Sequence, residues 1–355
     1  MYQYRPERIY FKIAEGMSIQ KRKKEHVDLT AKGDVEYAQR TGFEQFKLKH
    51  NALPELDSKS VKLEAEFLGR AFSFPLFISS MTGGYAEAGA VNTIIAEFCE
   101  RNNLPFGVGS QRAMLEDPGQ VESFSVVRKV APQAFIAANI GGAQLLDGLG
   151  DEKIDILIES IEANAVIIHL NPLQELMQPE GDHDFAGIEE GIKDLISKVD
   201  CPVIVKETGA GISYDVAKRL LELGSDVIDV AGAGGTSWSK VENLRERPDE
   251  PLHQFNDWGI PTVYCIRTVN ELKNSYDFEL IASGGIRSSF DIAKSIALGA
   301  DLAATAQPVI KAIVNGGIDE LEKLYHSWRK EMQIILTLTG CKSVEMLSTA
   351  HIIEL

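Results

Sequence analysis

Cysteine is scarce in this chain of 355 residues, which holds four, Cys99, Cys201, Cys265 and Cys341, far apart and with no CxxC pair. That spacing excludes a disulfide framework and predicts reduced, buried thiols in a cytoplasmic protein. No apolar stretch approaches the roughly 20 residues that cross a bilayer. The opening "MYQYRPERIYFKIAEG" also lacks the apolar core of a signal peptide. Positive charge is in short supply too: 36 Lys and Arg stand against 52 Asp and Glu, for a formal net charge of -16. Non-specific nucleic-acid binding needs clustered positive charge and is not expected. An anionic substrate would have to be drawn in by a local group of cations or by a metal. There is no HExxH and no zinc-like ligand spacing.

A repeat is present instead. Eight short apolar runs each end in small and polar residues before a helical stretch: "PLFISSMTGG", "PFGVGSQR", "AFIAANIGGAQ", "AVIIHLNPLQE", "PVIVKETGAG", "DVIDVAGAGGTSW", "LIASGGIR" and "LAATAQP". Most recur at the length of a strand–helix unit. "VNTIIAEFCERNN", "DILIESIEAN", "SYDVAKRLLELG" and "SFDIAKSIALG" carry the helical apolar spacing, with Ser213 and Ser289 as N-caps and Gly224 and Gly299 as stops. The fold class expected is α/β, a single TIM (β/α)8 barrel over residues 61–355. An N-terminal segment, residues 1–60, precedes it, and an inserted, partly mobile segment, "SKVENLRERPDEPLHQFNDWG", separates strand six from strand seven. An open doubly wound sheet would need a Gly-rich fingerprint after its first strand, and "SSMTGGYAEAG" supplies none.

In a barrel the polar strand ends share one mouth. Gly284, Gly285 and Arg287 after run seven, with Ala306 and Gln307 after run eight, occupy the usual phosphate position, where backbone N–H groups of a helix N-terminus meet an anion. Two glycines making a tight turn is the plainer reading. Lys206 ends a buried strand and needs an anion nearby, either a core carboxylate or an electron-rich ring or substrate. Thr82, Ser110, Asn139 and Thr236 are each ordinary cap or turn residues, yet together they suit the polar edge of a flavin. Arg22, Lys23 and Lys24 form a basic knot that is either a solvated face or an anion clamp, and His26 beside it could be an exposed residue with no special role. The adjacent Gln174 and Glu175 cannot share one direction on regular backbone, so a loop is expected to aim one inward and give the other to a metal. Mg²⁺ often takes only one or two carboxylates plus water and phosphate. "GDHD" could chelate too.

"MTGG", "GVGSQR", "HLNPLQE", "QPEGD", "VIVKETGAGIS", "GAGGTSW" and "ASGGIR", in this order, with "HNALPELD" upstream, resemble the type 2 isopentenyl diphosphate isomerase family from about residue 20 to the end. The resemblance implies a TIM barrel that binds FMN and Mg²⁺, has its flavin reduced by NADPH or NADH, and assembles as a homotetramer or larger homo-oligomer. It implies that Ser80, Met81, Thr82, Ser110, Asn139, Lys206 and Thr236 line the isoalloxazine and ribityl chain, while Gly284, Gly285, Arg287, Ala306 and Gln307 hold the phosphate. Arg22, Lys23, Ser110, Gln111, Arg112 and Gln174 would contact substrate, with His26, His169 and Asn171 near the diphosphate. Glu175 would bind Mg²⁺. Gln174, Glu242 and Lys206 would carry the chemistry, Glu242 through proton transfer. Many members have serine where this chain has Ala231, at the loss of one flavin hydrogen bond.

Two other functions compete. An FMN-dependent 2-hydroxy acid oxidase or dehydrogenase uses the same barrel, but needs a histidine and an arginine in an "HGxRQ"-like stretch after strand six, where this chain has "GAGGTSW". A flavoprotein that binds FMN without turnover would have no use for Gln174, Glu175 and the basic knot together.

Overall fold

The computed structural model describes residues 23, 25–30, 33–85, 87–146, 148–246 and 252–355. Three short strands come first: β1 (Phe46–Leu48), then the hairpin of β2 (Ala65–Phe67) and β3 (Arg70–Phe72). The eight apolar runs follow as β4 (Leu76–Ile78), β5 (Phe106–Gly107), β6 (Ile136–Gly141), β7 (Ala165–Leu170), β8 (Val203–Glu207), β9 (Val227–Asp229), β10 (Glu279–Ala282) and β11 (Leu302–Thr305). They pair in parallel in chain order, and β11 closes on β4 to complete the barrel. A last strand, β12 (Ile352–Glu354), runs antiparallel to β1 and clasps the end of the chain to its early part.

Strand periodicity decides which side chains fill the barrel. Successive side chains point to opposite faces, so Ala137, Ile167, Ile204 and Ile281 pack with one another in an inner cluster. Their chain neighbours Ile136, Val166, Val203 and Leu280 belong to the cluster that faces the outer helices. Both faces are buried, which is why the runs read as continuous Val, Ile and Ala rather than as alternation. The hairpin plugs the floor. Phe67, fully buried, sets its ring 6.2 Å from that of Phe77 and 6.0 Å from that of Phe135, both edge-on. Burying such a ring contributes about 1.5–3 kcal/mol.

The four helices expected from apolar spacing are present as Ala88–Asn102, Asp151–Glu159, Tyr214–Glu222 and Ser289–Ala297. Ser213 caps its helix by accepting from Val216 N, and Gly224 and Gly299 adopt positive φ just past their helix ends. One cap is corrected by a residue: Ser288 accepts from Asp291 N, and Ser289 is the first helical residue, its hydroxyl turned to Glu331. The segment inserted between β9 and β10 holds, in its described part, a helix, Trp238–Glu246, and the short turn His253–Asp257, with Ser239, Val241, Glu242 and Asn243 buried. Ser237 and Ser239 donate to the Asn256 and Phe255 carbonyls, and Asn243 donates to Asn256 Oδ1. No helix among the described residues is long and apolar enough to cross a membrane.

Candidate active site

Continuing the inward alternation two residues beyond the apolar filling reaches Asn139, His169, Lys206, Asp229 and Ser283, the first four still within β6–β9 and the last just past β10. The barrel interior thus turns from apolar to polar at its C-terminal end. In register, Lys206 pairs with His169 on one side and Asp229 on the other. Lys206 Nζ donates to the Glu207 carbonyl at 2.6 Å and lies 3.8 Å from Asp229 Oδ2. The core carboxylate expected beside this lysine is therefore present as Asp229, and the same side chain lines the barrel mouth. Asp229 Oδ1 accepts from Ser283 Oγ at 2.5 Å. Burial pushes the Asp229 carboxyl upward, opposed by Lys206 and by the Ser283 bond.

His169 is fixed by its neighbour. Asn139 Nδ2 donates to the Val108 carbonyl at 3.0 Å, which orients the amide so that Oδ1 faces His169 Nδ1 at 2.8 Å. The proton therefore sits on Nδ1. Burial, with Lys206 and Lys23 nearby, lowers this imidazole to about 3, so it is neutral near pH 7.

Two adjoining cavities occupy the mouth. The first is lined by Ser80, Met81, Ser110, Asn139, Lys206 and Thr236, and further out by Gly284, Gly285, Arg287, Ala306 and Gln307. The second is lined by Lys23, Arg112, Asn171 and Glu175. His26, Met81, Ser110, His169, Gln174 and Trp238 border both. The expected cofactor and substrate residues thus fall into two groups side by side. Thr82 departs from expectation: it lines the second cavity only, its hydroxyl donating to Tyr85. Gln111 is corrected. It lines neither cavity and is fully buried in the wall, donating to the Leu157 carbonyl at 3.0 Å and accepting from Asn139 N at 2.8 Å. Arg22 and Lys24 lie outside the described residues.

At the outer end of the first cavity, Gly284 takes φ +98, and a Cβ there would fall 2.0 Å from the Gly232 carbonyl oxygen. Only glycine lets the loops after β9 and β10 approach so closely. The helix that starts at Gln307 has no side-chain cap on its first turn, leaving its N–H groups for another acceptor. Arg287 donates to the Gly234 carbonyl and sits 3.2 Å from Glu36, while its Nε is buried without a partner. Ser80 Oγ, lining the same cavity, is likewise buried and unpartnered. Orphaned donors beside an uncapped helix start fit a phosphate-bearing, polar-edged cofactor such as FMN. Ala231 borders this cavity with φ +38.

Gln174 and Glu175 stand on a short helix, Pro172–Met177, rather than on the irregular loop expected. A helix turns its side chains by about 100° per residue, and both still reach the second cavity because it wraps the helix end. The chain then folds back at Gly181, where a Cβ would lie 2.0 Å from the Glu175 carbonyl oxygen. That return brings Asp182 N to Glu175 Oε2 at 2.9 Å, while Asn171 Nδ2 donates to Glu175 Oε1 at 2.8 Å. No group of three or more His, Cys, Asp or Glu side chains among the described residues forms a metal cage. A single anchored carboxylate next to Lys23 and Arg112 suits Mg²⁺ arriving with a phosphate-bearing substrate.

Behind Gln174 lies Glu242, fully buried. Its Oε1 accepts from Gln174 Nε2 at 3.1 Å and Gln178 Nε2 at 2.7 Å, and its Oε2 from Arg245 Nε at 2.9 Å. His26 Nε2 is 2.8 Å from the same Oε1, though off the direction of a hydrogen bond along the ring. Burial alone would raise this carboxyl, but His26, Arg245 and Gln174 outweigh it and hold it at about 2. Trp238, edge-on to His26 with ring centres 5.1 Å apart, was not singled out from sequence, nor were Gln178, Arg245 and Asp229. For Asp229 the signal was there, in the inward alternation of "DVID".

A family model described as FMN-dependent dehydrogenase matches residues 169–354. The isopentenyl-diphosphate delta-isomerase of Chlorobium luteolum is 47% identical over 341 residues, covering 92% of this chain and 94% of that protein. That of Metallosphaera sedula is 42% identical over 344 residues, covering 95% and 93%. Among solved structures, the flavin-binding domain of baker's yeast flavocytochrome b2 superposes with a TM-score of 0.65 at 17% identity, over 88% of this chain and 77% of that one. The (S)-mandelate dehydrogenase of Pseudomonas putida gives 0.64 at 14%, over 93% and 91%. At these identities the structural likeness shows the fold alone. The sequence relatives show more, and the chain belongs to the isopentenyl-diphosphate delta-isomerase family, carried on the barrel of the FMN-dependent dehydrogenases.

Proposed function

We propose that this chain interconverts isopentenyl diphosphate and dimethylallyl diphosphate by a 1,3-allylic proton shift, with FMN reduced by NADPH or NADH and with Mg²⁺. The observation that carries the reading is the pair of adjoining cavities, one with orphaned donors for a phosphate-bearing cofactor, the other with cations and a carboxylate at one end and Gln174 backed by Glu242 at the other.

The reaction protonates one alkene carbon and removes a proton from another, through a tertiary carbocation that needs a dry, electron-rich neighbour. When bound, reduced FMN would supply negative charge and a proton-exchanging group for the alkene. Ser80, Asn139, Lys206 and Thr236 are the residues for its ring edge, and Gly284, Gly285, Arg287, Ala306 and Gln307 those for its phosphate. Lys206, a cation in the barrel mouth, favours an anionic ring. Gln174 is too weakly acidic to be a strong general acid, so its role is to orient the alkene and to connect it to Glu242. Glu242, held ionised, is ready to accept a proton at Oε1 rather than to give one. Lys23 and Arg112 would anchor the diphosphate, with Glu175 the residue to hold Mg²⁺, and that remote binding would position the reacting carbons.

The 2-hydroxy acid oxidases share the barrel, yet the loop after β9 has no histidine, and the two histidines of the mouth, His26 and His169, come from elsewhere. The N-terminal segment through residue 60 belongs to the substrate side in this reading, through Lys23 and His26. Four free thiols, three of them buried, support a reducing, cytoplasmic setting, and family likeness supports a homo-oligomer. An anaerobic assay of the purified protein with FMN, NADPH, Mg²⁺ and isopentenyl diphosphate tests the whole. Dimethylallyl diphosphate should accumulate. Oxidation of a 2-hydroxy acid with no isomerisation would favour the oxidase instead.

A further inference from the structure

Arg245 touches neither cavity, yet its side chain is only 5% exposed and its guanidinium joins three segments. Nε donates to Glu242 on its own helix, Nη2 donates to Glu180 Oε1 at 2.6 Å, and Nη1 lies 4.0 Å from Glu25 Oε2. Glu180 belongs to the return of the loop after β7, and Glu25 to the helical residues 25–30. These same segments carry residues that line the cavities: Gln174 and Glu175 on one, and His26 on another, with Lys23 just before it in the chain.

We infer that Arg245 and Gln178 are positioning residues of the isomerase site, which fix the orientation and charge of Glu242 and, through it, of Gln174. The inference rests on the isomerase reading above. A carboxylate rotates freely unless both oxygens are held. Here Arg245 holds Oε2 while Gln178 braces Oε1, so the Gln174 bond has one direction available to it. The fork of donors in arginine can serve separate acceptors at once, which a lysine ammonium at the same place could not reach together.

The charge follows from the same contacts. Among the described residues, the ionisable groups around Glu242 include His26 and, through Arg245, Glu25 from residues 25–30, Glu180 from the loop, and Arg245 from its own helix. Arg245 is the permanent cation in direct contact with Glu242 among the described residues. Without Arg245, burial would push the Glu242 carboxyl upward against less opposition, with His26 and the two glutamine amides left among the described residues.

The test uses the full chain loaded with FMN and compares wild type with Arg245→Gln, Arg245→Lys and Gln178→Met. Arg245→Gln should lower kcat at least about tenfold with a much smaller change in KM, the pattern of a lost transition-state arrangement. The acid limb of its kcat profile should move to higher pH. Arg245→Lys, which keeps the charge, should restore the limb but not the full kcat, and Gln178→Met should lower kcat with the limb little moved. FMN affinity should match wild type throughout. Wild-type kcat and an unmoved limb in Arg245→Gln would overturn the inference, as would a loss of kcat matched by an equal loss of FMN affinity. Should Arg245→Gln not fold, Arg245→Lys decides by its kcat alone, a wild-type value being the overturning result. A wild type that fails to isomerise would sink the isomerase reading itself, an outcome separate from these.

Discussion

Single side chains at the mouth divide by what they hold. Gln174 is oriented from both ends of its amide, donating to Glu242 and accepting from Asn171 Nδ2 at 3.3 Å. In the proposed reaction a group held this way would contribute to the reacting geometry more than to binding. Gln174→Ala should therefore lower kcat and kcat/KM together, by at least about tenfold or roughly 1.4 kcal/mol, with FMN affinity unchanged in a fluorescence titration. Full kcat would make the Pro172–Met177 helix a scaffold and leave the proton to Glu242 and the cofactor. One position along, Glu175 keeps its shape but loses its charge in Glu175→Gln. The Mg²⁺ concentration needed for half-maximal rate should rise, as should KM. An unchanged Mg²⁺ titration would move the metal to Glu180 or Asp182.

At the scale of elements, the loops after β10 and β11 and the floor hairpin serve opposite ends of the barrel. Arg287 is tied to the loop after β9 through Gly234 and to the N-terminal segment through Glu36, so its guanidinium is held in place at the outer end of the first cavity, where the proposed phosphate would lie. Hydrogen bonds to charged groups contribute about 1.5–3 kcal/mol, so Arg287→Ala should weaken FMN at least about tenfold by equilibrium dialysis. At the floor, Glu279 accepts from Leu68 N at 2.7 Å and holds the turn of the β2–β3 hairpin, while its other oxygen is buried without a partner. Burial pushes this carboxyl up to about 7, with Asp301 adding to the rise and the Leu68 bond and Lys273 opposing it. A carboxyl raised in the folded state above its ordinary value of 4.5 binds more protons there than in the unfolded chain, so stability falls as pH rises from 4.5 to about 7. Glu279→Gln keeps the acceptor for Leu68 and removes the charge. Its melting temperature should exceed wild type at about pH 8 and approach it at about pH 4.5, the window being set by the shifted carboxyl. A difference that did not depend on pH would assign Glu279 a packing role only.

For the molecule as a whole, the net charge of -16 works against an anionic substrate. Binding then depends on a few cations set close together. Lys23 donates to the Gly83 and Ser110 carbonyls at 2.8 and 3.0 Å and lies 5.7 Å from the centre of the Phe124 ring, so it bridges the N-terminal segment to the loops after β4 and β5. Diphosphate anchoring is nearly uniform between ground and transition states. Lys23→Ala should raise KM with kcat little changed at saturating substrate, and rising ionic strength should narrow its difference from wild type as exposed charges are screened. A fall in kcat at unchanged KM would place Lys23 in the chemistry instead.

The barrel and the outline of its mouth were legible because both depend on local repetition. Eight apolar runs with polar ends can close only one way, and the strand ends then share a face, whichever residues they carry. Most of the expected cofactor residues lie within two or three positions of such an end. What sequence spacing could not decide was direction. Gln111 and Arg112 are neighbours, yet a helix starting at Arg112 leaves one amide in the wall and the other side chain at the cavity. Gln174 and Glu175 looked incompatible on regular backbone, and the curvature of the cavity around a short helix reconciles them. Glu242 and Arg245 stand 68 and 65 residues beyond Gln174 and Glu180, and meet them only because the helix after β9 packs against the loop after β7. Hydrophobic periodicity follows from the backbone repeat and can be read along the chain. The partner of a buried charge is whatever the closed barrel brings beside it, and for Glu242 and Arg245 that was decided by tertiary structure alone.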